Sequence, residues 1–131
     1  MSVKFKSVQR INPQDVTAQK KFYARTIADG ATDLDELSKL VASQCTVNRA
    51  DCYAVLLALE ANVIRELENG RIVRLGELGS YQLGVSAQGM LTDEEVNAST
   101  IKKARINFRP GAGLKAMLKT LVYKKAQNQS A

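Results

Sequence analysis

The chain has 131 residues, 45% of them hydrophobic and 24% charged, with a formal net charge of +6 and no histidine. That length suits one domain with a modest core and room for an appended element, and the composition is that of a folded soluble protein. Without histidine the commonest general base is missing, and no serine or cysteine has an evident activating partner, so an enzyme is not expected.

The longest apolar run, residues 54–59, is far too short to cross a bilayer. The opening MSVKFKSVQR alternates charge with apolar residues and lacks the apolar stretch of a secretory signal, which points to a cytoplasmic protein with no membrane partner. Cys45 and Cys52 stand seven apart, and a metal site would need two further soft ligands. Both read as ordinary buried thiols, and no metal, cofactor or small-molecule substrate is expected.

Charge is distributed unevenly. Residues 1–25 hold six bases against one acid, residues 26–70 three against eight, and residues 71–100 two against four. Residues 101–131 hold eight bases and no acid. A solvated face is the plain explanation of such a run, but a stretch with no acid at all favours an anionic partner, nucleic acid above all.

In chain order, VKFKSVQRI (3–11) alternates as a strand through Val3, Phe5, Val8 and Ile11, NPQD (12–15) is turn chemistry, and KKFYARTIA (20–28) is a second strand. Together they predict an N-terminal β-hairpin with a long loop. TDLDELSKLVASQC (32–45) predicts a helix with Thr32 and Asp35 as its capping box and Leu34, Leu37, Leu40 and Val41 at helical spacing. Asn48 is a natural N-cap, with Asp51 three residues on, for a long helix ended by Gly70. Its apolar residues wrap around more than one stripe, so a partner subunit is expected to cover part of it.

After Gly70 the apolar period changes from about 3.6 to 2. Gly76-Glu77-Leu78-Gly79 reads as a tight turn between two strands, residues 86–100 as an exposed loop or arm, and TIKKARINF (100–108) as a returning strand. Arg109-Pro110-Gly111 fits a helix start with proline in the first turn, and the last helix is expected over residues 112–122. The predicted divisions are residues 1–30 (hairpin), 31–123 (main domain) and 124–131 (loose basic tail).

Three stretches in this order resemble the HU / integration-host-factor family of bacterial histone-like proteins. NRADCYAVLLALEANVIRELENG resembles the second helix of the family's intertwined dimer core. GRIVRLGELGSYQL resembles its strand, turn and hairpin, with Leu78, Gly79, Ser80 and Tyr81 at the Phe, Gly, Thr and Phe of a Gly-x-Gly-Thr-Phe-like turn, although Glu77 replaces the first glycine. INFRPGAGLKAML resembles its Phe-x-x-Gly-x-x-Leu-Lys junction. With the hairpin and residues 86–100, the likeness is to an extended branch in which two strands precede the first helix. The resemblance implies an α+β homodimer with a helical core and a β-saddle beneath two arms. It also implies a cytoplasmic, nucleoid-associated role in binding duplex DNA.

The arm departs from the family pattern. Typical members carry an Arg-Asn-Pro motif whose proline wedges between base steps and kinks DNA. This chain has no proline between Pro13 and Pro110, so the wedge does not carry over; Met90 and Leu91 are the apolar residues that could replace it. Binding is expected, and bending is left open.

On strand alternation Lys103, Arg105 and Asn107 share one face, opposite Ile106 and Phe108. With Lys102 and Arg74 they are candidate DNA contacts, and the resemblance adds Arg109, Lys115 and Lys119 at and beyond the last helix start. Lys4 and Lys6 share a face of the first strand, where they could extend a basic surface or protect an edge from aggregation. No base-reading set stands out, so largely nonspecific phosphate binding is expected. The alternative is a structural or assembly module that kept the fold and lost tight DNA bending, suggested by the missing proline and the acidic Asp93-Glu94-Glu95.

Overall fold

Alternating residues give two antiparallel strands, β1 (Val3–Arg10) and β2 (Lys21–Ile27), paired from Lys4↔Ile27 to Arg10↔Lys21. The connecting loop is held by local side-chain acceptors: Asn12 Oδ1 takes the Gln14 N–H at 3.0 Å, and Asp15 Oδ1 takes the Thr17 N–H at 3.1 Å. The computed structural model describes residues 1–126. It divides into two compact units, one made of Met1–Thr32 with the chain from Lys119 onward, the other of Asp33–Leu118.

A third strand completes the first unit. β6 (Tyr123–Lys125) runs parallel to β1, giving the order β2-β1-β6. The Val3 N–H donates to the Val122 carbonyl at 2.7 Å and the Ala126 N–H to the Phe5 carbonyl at 2.8 Å. The tail expected to be loose from Lys124 therefore begins as a paired strand, and its residues 127–131 lie outside the described part. Edge protection falls for Lys4, which has a strand on both sides, but not for Lys6, since the register with β6 ends at Phe5.

In the second unit, α1 (Leu34–Gln44) and α2 (Arg49–Glu68) pack together. The cap of α1 is Asp33, one residue later than expected, and its carboxylate accepts the Glu36 N–H at 2.9 Å. Asn48 caps α2 as its sequence predicts, accepting the Asp51 N–H at 2.9 Å. The Ser38 hydroxyl, fully buried, donates to the Asp35 carbonyl at 2.5 Å within α1. Arg49 donates to both oxygens of Asp35, at 2.6 and 2.8 Å, tying the start of α2 to α1.

The chain then forms an antiparallel sheet of order β3-β4-β5, from β3 (Val73–Arg74), β4 (Gly79–Ala87) and β5 (Ile101–Pro110). The turn between β3 and β4 closes with Leu75 N–H to Gly79 carbonyl at 2.8 Å. Gly79 has φ +137°, and a Cβ there would overlap the Arg109 carbonyl oxygen. The same turn receives α3 (Ala112–Lys119): the Gly111 N–H donates to the Leu78 carbonyl at 3.0 Å and the Leu114 N–H to the Glu77 carbonyl at 3.3 Å. The two glycine-bearing sequence motifs are thus the two sides of one contact.

Residues 88–100 connect β4 to β5 through two short 3-10 turns, Asp93–Glu95 and Ala98–Thr100, and the Gln88 N–H closes the connection on the Thr100 carbonyl at 2.9 Å. Leu91 is 98% exposed there. The last helix ends at Lys119, short of the expected 122, and Pro110 ends β5 opposite Gly79 instead of opening the helix.

The sheet's apolar face carries Tyr81, Leu83, Ile106 and Phe108, with the Tyr81 and Phe108 rings 5.0 Å apart. It borders α2 across an open cavity of about 410 Å³ lined by Val63, Ile64, Leu67, Tyr81, Leu83 and Ile106. Among the described residues, Cys52 is the one apolar side chain that is buried, whereas Cys45, also expected to be buried, is exposed just past the end of α1, and Val55 is 63% and Ile64 59% exposed.

Candidate nucleic-acid interface

Residues paired across an antiparallel ladder project to the same face. Beneath the apolar pairs Tyr81↔Phe108 and Leu83↔Ile106 alternate the pairs Ser80↔Arg109, Gln82↔Asn107, Gly84↔Arg105 and Ser86↔Lys103, with Arg74 joined to Ser80 from β3. One face of the sheet therefore presents Arg74, Lys103, Arg105 and Arg109 among hydroxyls and amides. It holds no carboxylate.

The cations are set by their neighbours. Arg105 donates to the Ser86 hydroxyl at 3.1 Å, which steers the guanidinium along the sheet and leaves its remaining donors free. Both Arg105 and Asn107 lean over Gly84, where a Cβ would stand 2.7 Å from Asn107 Nδ2 and 3.1 Å from Arg105 Nε. A cavity of about 200 Å³ is lined by Ser80, Gln82, Asn107, Phe108 and Arg109. Oxygens of a phosphate backbone would meet guanidinium, ammonium and amide donors here with no opposing carboxylate.

The structure brings together five of the sequence-predicted residues, Arg74, Lys103, Arg105, Asn107 and Arg109. Arg109 sits in the strand rather than at a helix N-terminus, because Pro110 still belongs to β5. Lys102 occupies an irregularity: Ser86 pairs with Lys103 and Ala87 with Ile101, so Lys102 has no partner in the ladder. Lys115 and Lys119 lie on α3, four residues apart and so on one side of that helix, outside the sheet. Sequence reasoning missed Ser80, Gln82 and Ser86. Their alternation with Tyr81, Leu83 and Val85 carried the signal, but only the cross-strand register puts them beside the cations.

Among the described residues, no group of three His, Cys, Asp or Glu side chains could hold a metal ion, and no helix is long and apolar enough to cross a membrane.

A family model described as an HU domain fused to wHTH, Ig, or a glycine-rich motif (HU-HIG) matches residues 1–125. No curated protein matches the sequence. Among solved structures, the chain is similar to one from Bacteroides vulgatus ATCC 8482, described provisionally as a bacterial DNA-binding protein, at a TM-score of 0.62 and 16% identity. The match covers 99% of this chain and 51% of that one, so this chain spans about half its length. At that identity the likeness speaks for the α+β fold, in which three helices accompany two small sheets. The family model takes in the N-terminal hairpin as well as the glycine-bearing motifs, and the chain belongs to the HU-HIG family of HU domains.

Proposed function

We propose that this chain acts as a homodimer that binds duplex DNA through the basic face of the β3-β4-β5 sheet, mainly by phosphate contacts and with little sequence preference. The observation that carries this reading is the register of the β3-β4-β5 sheet, which gathers Arg74, Lys103, Arg105 and Arg109 on one carboxylate-free face. Lys102, Lys115 and Lys119 add long-range attraction. Membership of an HU family and the DNA-binding description of the Bacteroides vulgatus protein support the same partner and a place in the nucleoid.

A second copy of the chain is the natural cover for the apolar residues left exposed along α2 and the adjoining sheet face, and an intertwined dimer would bring two basic faces into one saddle. Residues 88–100 would form its arms. With no proline in them, binding is proposed to proceed without a sharp proline-type kink.

The test is fluorescence anisotropy of a labelled duplex of about two helical turns, titrated at low and near-physiological salt. Binding should weaken steeply with salt, ignore sequence, and fall on every duplex in a Lys103→Glu/Arg105→Glu variant. No binding at low salt from a folded dimer would instead favour the assembly-module reading.

A further inference from the structure

The N-terminal sheet has a basic face of its own. Along β1 and its neighbours, the register places Lys4 opposite Ile27 and Lys124, Lys6 opposite Arg25, Val8 opposite Tyr23, and Arg10 opposite Lys21. Cross-strand partners share a face, so six cations stand on one side of a three-stranded sheet. Val3, Phe5, Phe22, Ala24 and Tyr123 occupy the other side, with Ser7, Gln9, Thr26 and a single cation, Lys125. Three times a cation lies directly opposite another, in the pairs Lys4–Lys124, Lys6–Arg25 and Arg10–Lys21.

Like charges opposed across strands destabilise a sheet. One carboxylate offsets part of this: Asp29 stands 3.5 Å from Lys4, and among the described residues no ion pair reaches the Lys6–Arg25 and Arg10–Lys21 pairs. Edge protection does not account for Lys4, which has a strand on both sides, and it does not require the cations of neighbouring strands to stand directly opposite one another. An arrangement that costs stability in the free protein becomes favourable when an anion lies across it.

We infer that the basic face of the β2-β1-β6 sheet is a second contact surface for the sugar-phosphate backbone of duplex DNA, separate from the β3-β4-β5 face. The rows from Lys4 to Arg10 extend over roughly 20 Å of strand, a length along which one strand of a duplex presents about six phosphates. At the Arg10–Lys21 end the face meets a cavity of about 540 Å³, lined also by Asn12, Gln19 and Tyr23, which adds neutral polar groups beside the two cations. An anionic membrane is the weaker fit, because Val8 and Ile27 are half-buried between the cations and Tyr23 is the one exposed ring this face offers a bilayer. The choice of duplex DNA rests on the function proposed above; the clustering of charge does not.

The test compares Lys6→Gln/Arg25→Gln with Lys103→Glu/Arg105→Glu and the wild type, all as full chains, by duplex anisotropy over a series of salt concentrations. Neutralising Lys6 and Arg25 should weaken binding on the order of tenfold on any sequence and reduce the salt slope by about 2. The same variant should melt at a higher temperature in low salt, since a repulsive pair has been removed. That rise also shows that any loss of binding is not a loss of folding. Unchanged affinity and slope in Lys6→Gln/Arg25→Gln, with binding lost in Lys103→Glu/Arg105→Glu, would overturn this inference and leave the proposed function intact. Absence of binding by the wild type would overturn both.

Discussion

Arg105 lies across the bare α-carbon of its register partner Gly84, with Nε and Cζ at 3.1 and 3.2 Å from where a Cβ would stand. The glycine is a platform for a cation, and that gives it a functional cost when changed. Gly84→Ala should displace the ends of Arg105 and Asn107, which are flexible, without touching backbone. Duplex affinity is expected to fall roughly three- to tenfold, about 1 kcal/mol, while the melting temperature changes little. An alanine variant that binds as the wild type does would show that the pose of Arg105 is immaterial.

Gly79 should behave in the opposite way. Its φ of +137° and the Arg109 carbonyl beside it leave no room for a side chain, and the obstacle is backbone. Gly79→Ala is expected to cost about 3 kcal/mol or more of stability, read by urea denaturation. It should also loosen the contact between the β3–β4 turn and the start of α3.

The exposed stripe on α2 gives a third expectation. If a second copy covers Ile64, then Ile64→Asp places a carboxylate in an apolar interface and should weaken the dimer at least about tenfold. Sedimentation equilibrium reads the change. In the wild type the melting temperature should rise with protein concentration; a concentration-independent value with a monomeric mass would remove the dimer from the picture.

Acid stability should depend on Asp35. The hydrogen bonds from Arg49 hold its carboxyl below the ordinary carboxylate value. A carboxyl depressed on folding contributes stability above its unfolded pKa and loses it as the pH falls through the lower, folded value. Asp35→Asn should therefore melt lower than the wild type at neutral pH, and the two curves should converge as the pH drops below about 4. A constant gap across that range would assign the effect to something other than this pair.

Bending can be read separately from binding. Energy transfer between dyes at the two ends of a duplex should change little on binding, because no proline occupies residues 88–100. A large change that Leu91→Ser abolishes would instead make the 98%-exposed Leu91 the wedge.

Much of this was legible in the sequence wherever a local rule governs. Asn48, Gly70 and the 76–79 turn are set by backbone chemistry within a few residues, and the sharing of one face by Lys103, Arg105 and Asn107 follows from strand alternation alone. What failed depended on distant partners. Pro110 has the look of a helix start, yet the ladder to Gly79 keeps it in β5. Asp33 takes the cap from Thr32 because the helix begins at Leu34, which leaves the Asp33 carboxylate within reach of the Glu36 N–H. Tyr123–Lys125 is too short to show any period, and its hydrogen bonds go to β1 near the other end of the chain. For the same reason the opposed charges of the first sheet are invisible until three segments are laid side by side.

The pairing of β1 with β6 also sets an order of events at the ribosome. Residues 33–118 are complete before Tyr123 is made, but until then β1 has a free edge on the side β6 will occupy. β1 waits for a strand made only after the whole of residues 33–118, a pairing between distant segments that is slow to form. A ribosome that stalled or terminated near Thr120 would release a chain with that edge open, ready to pair with another such chain.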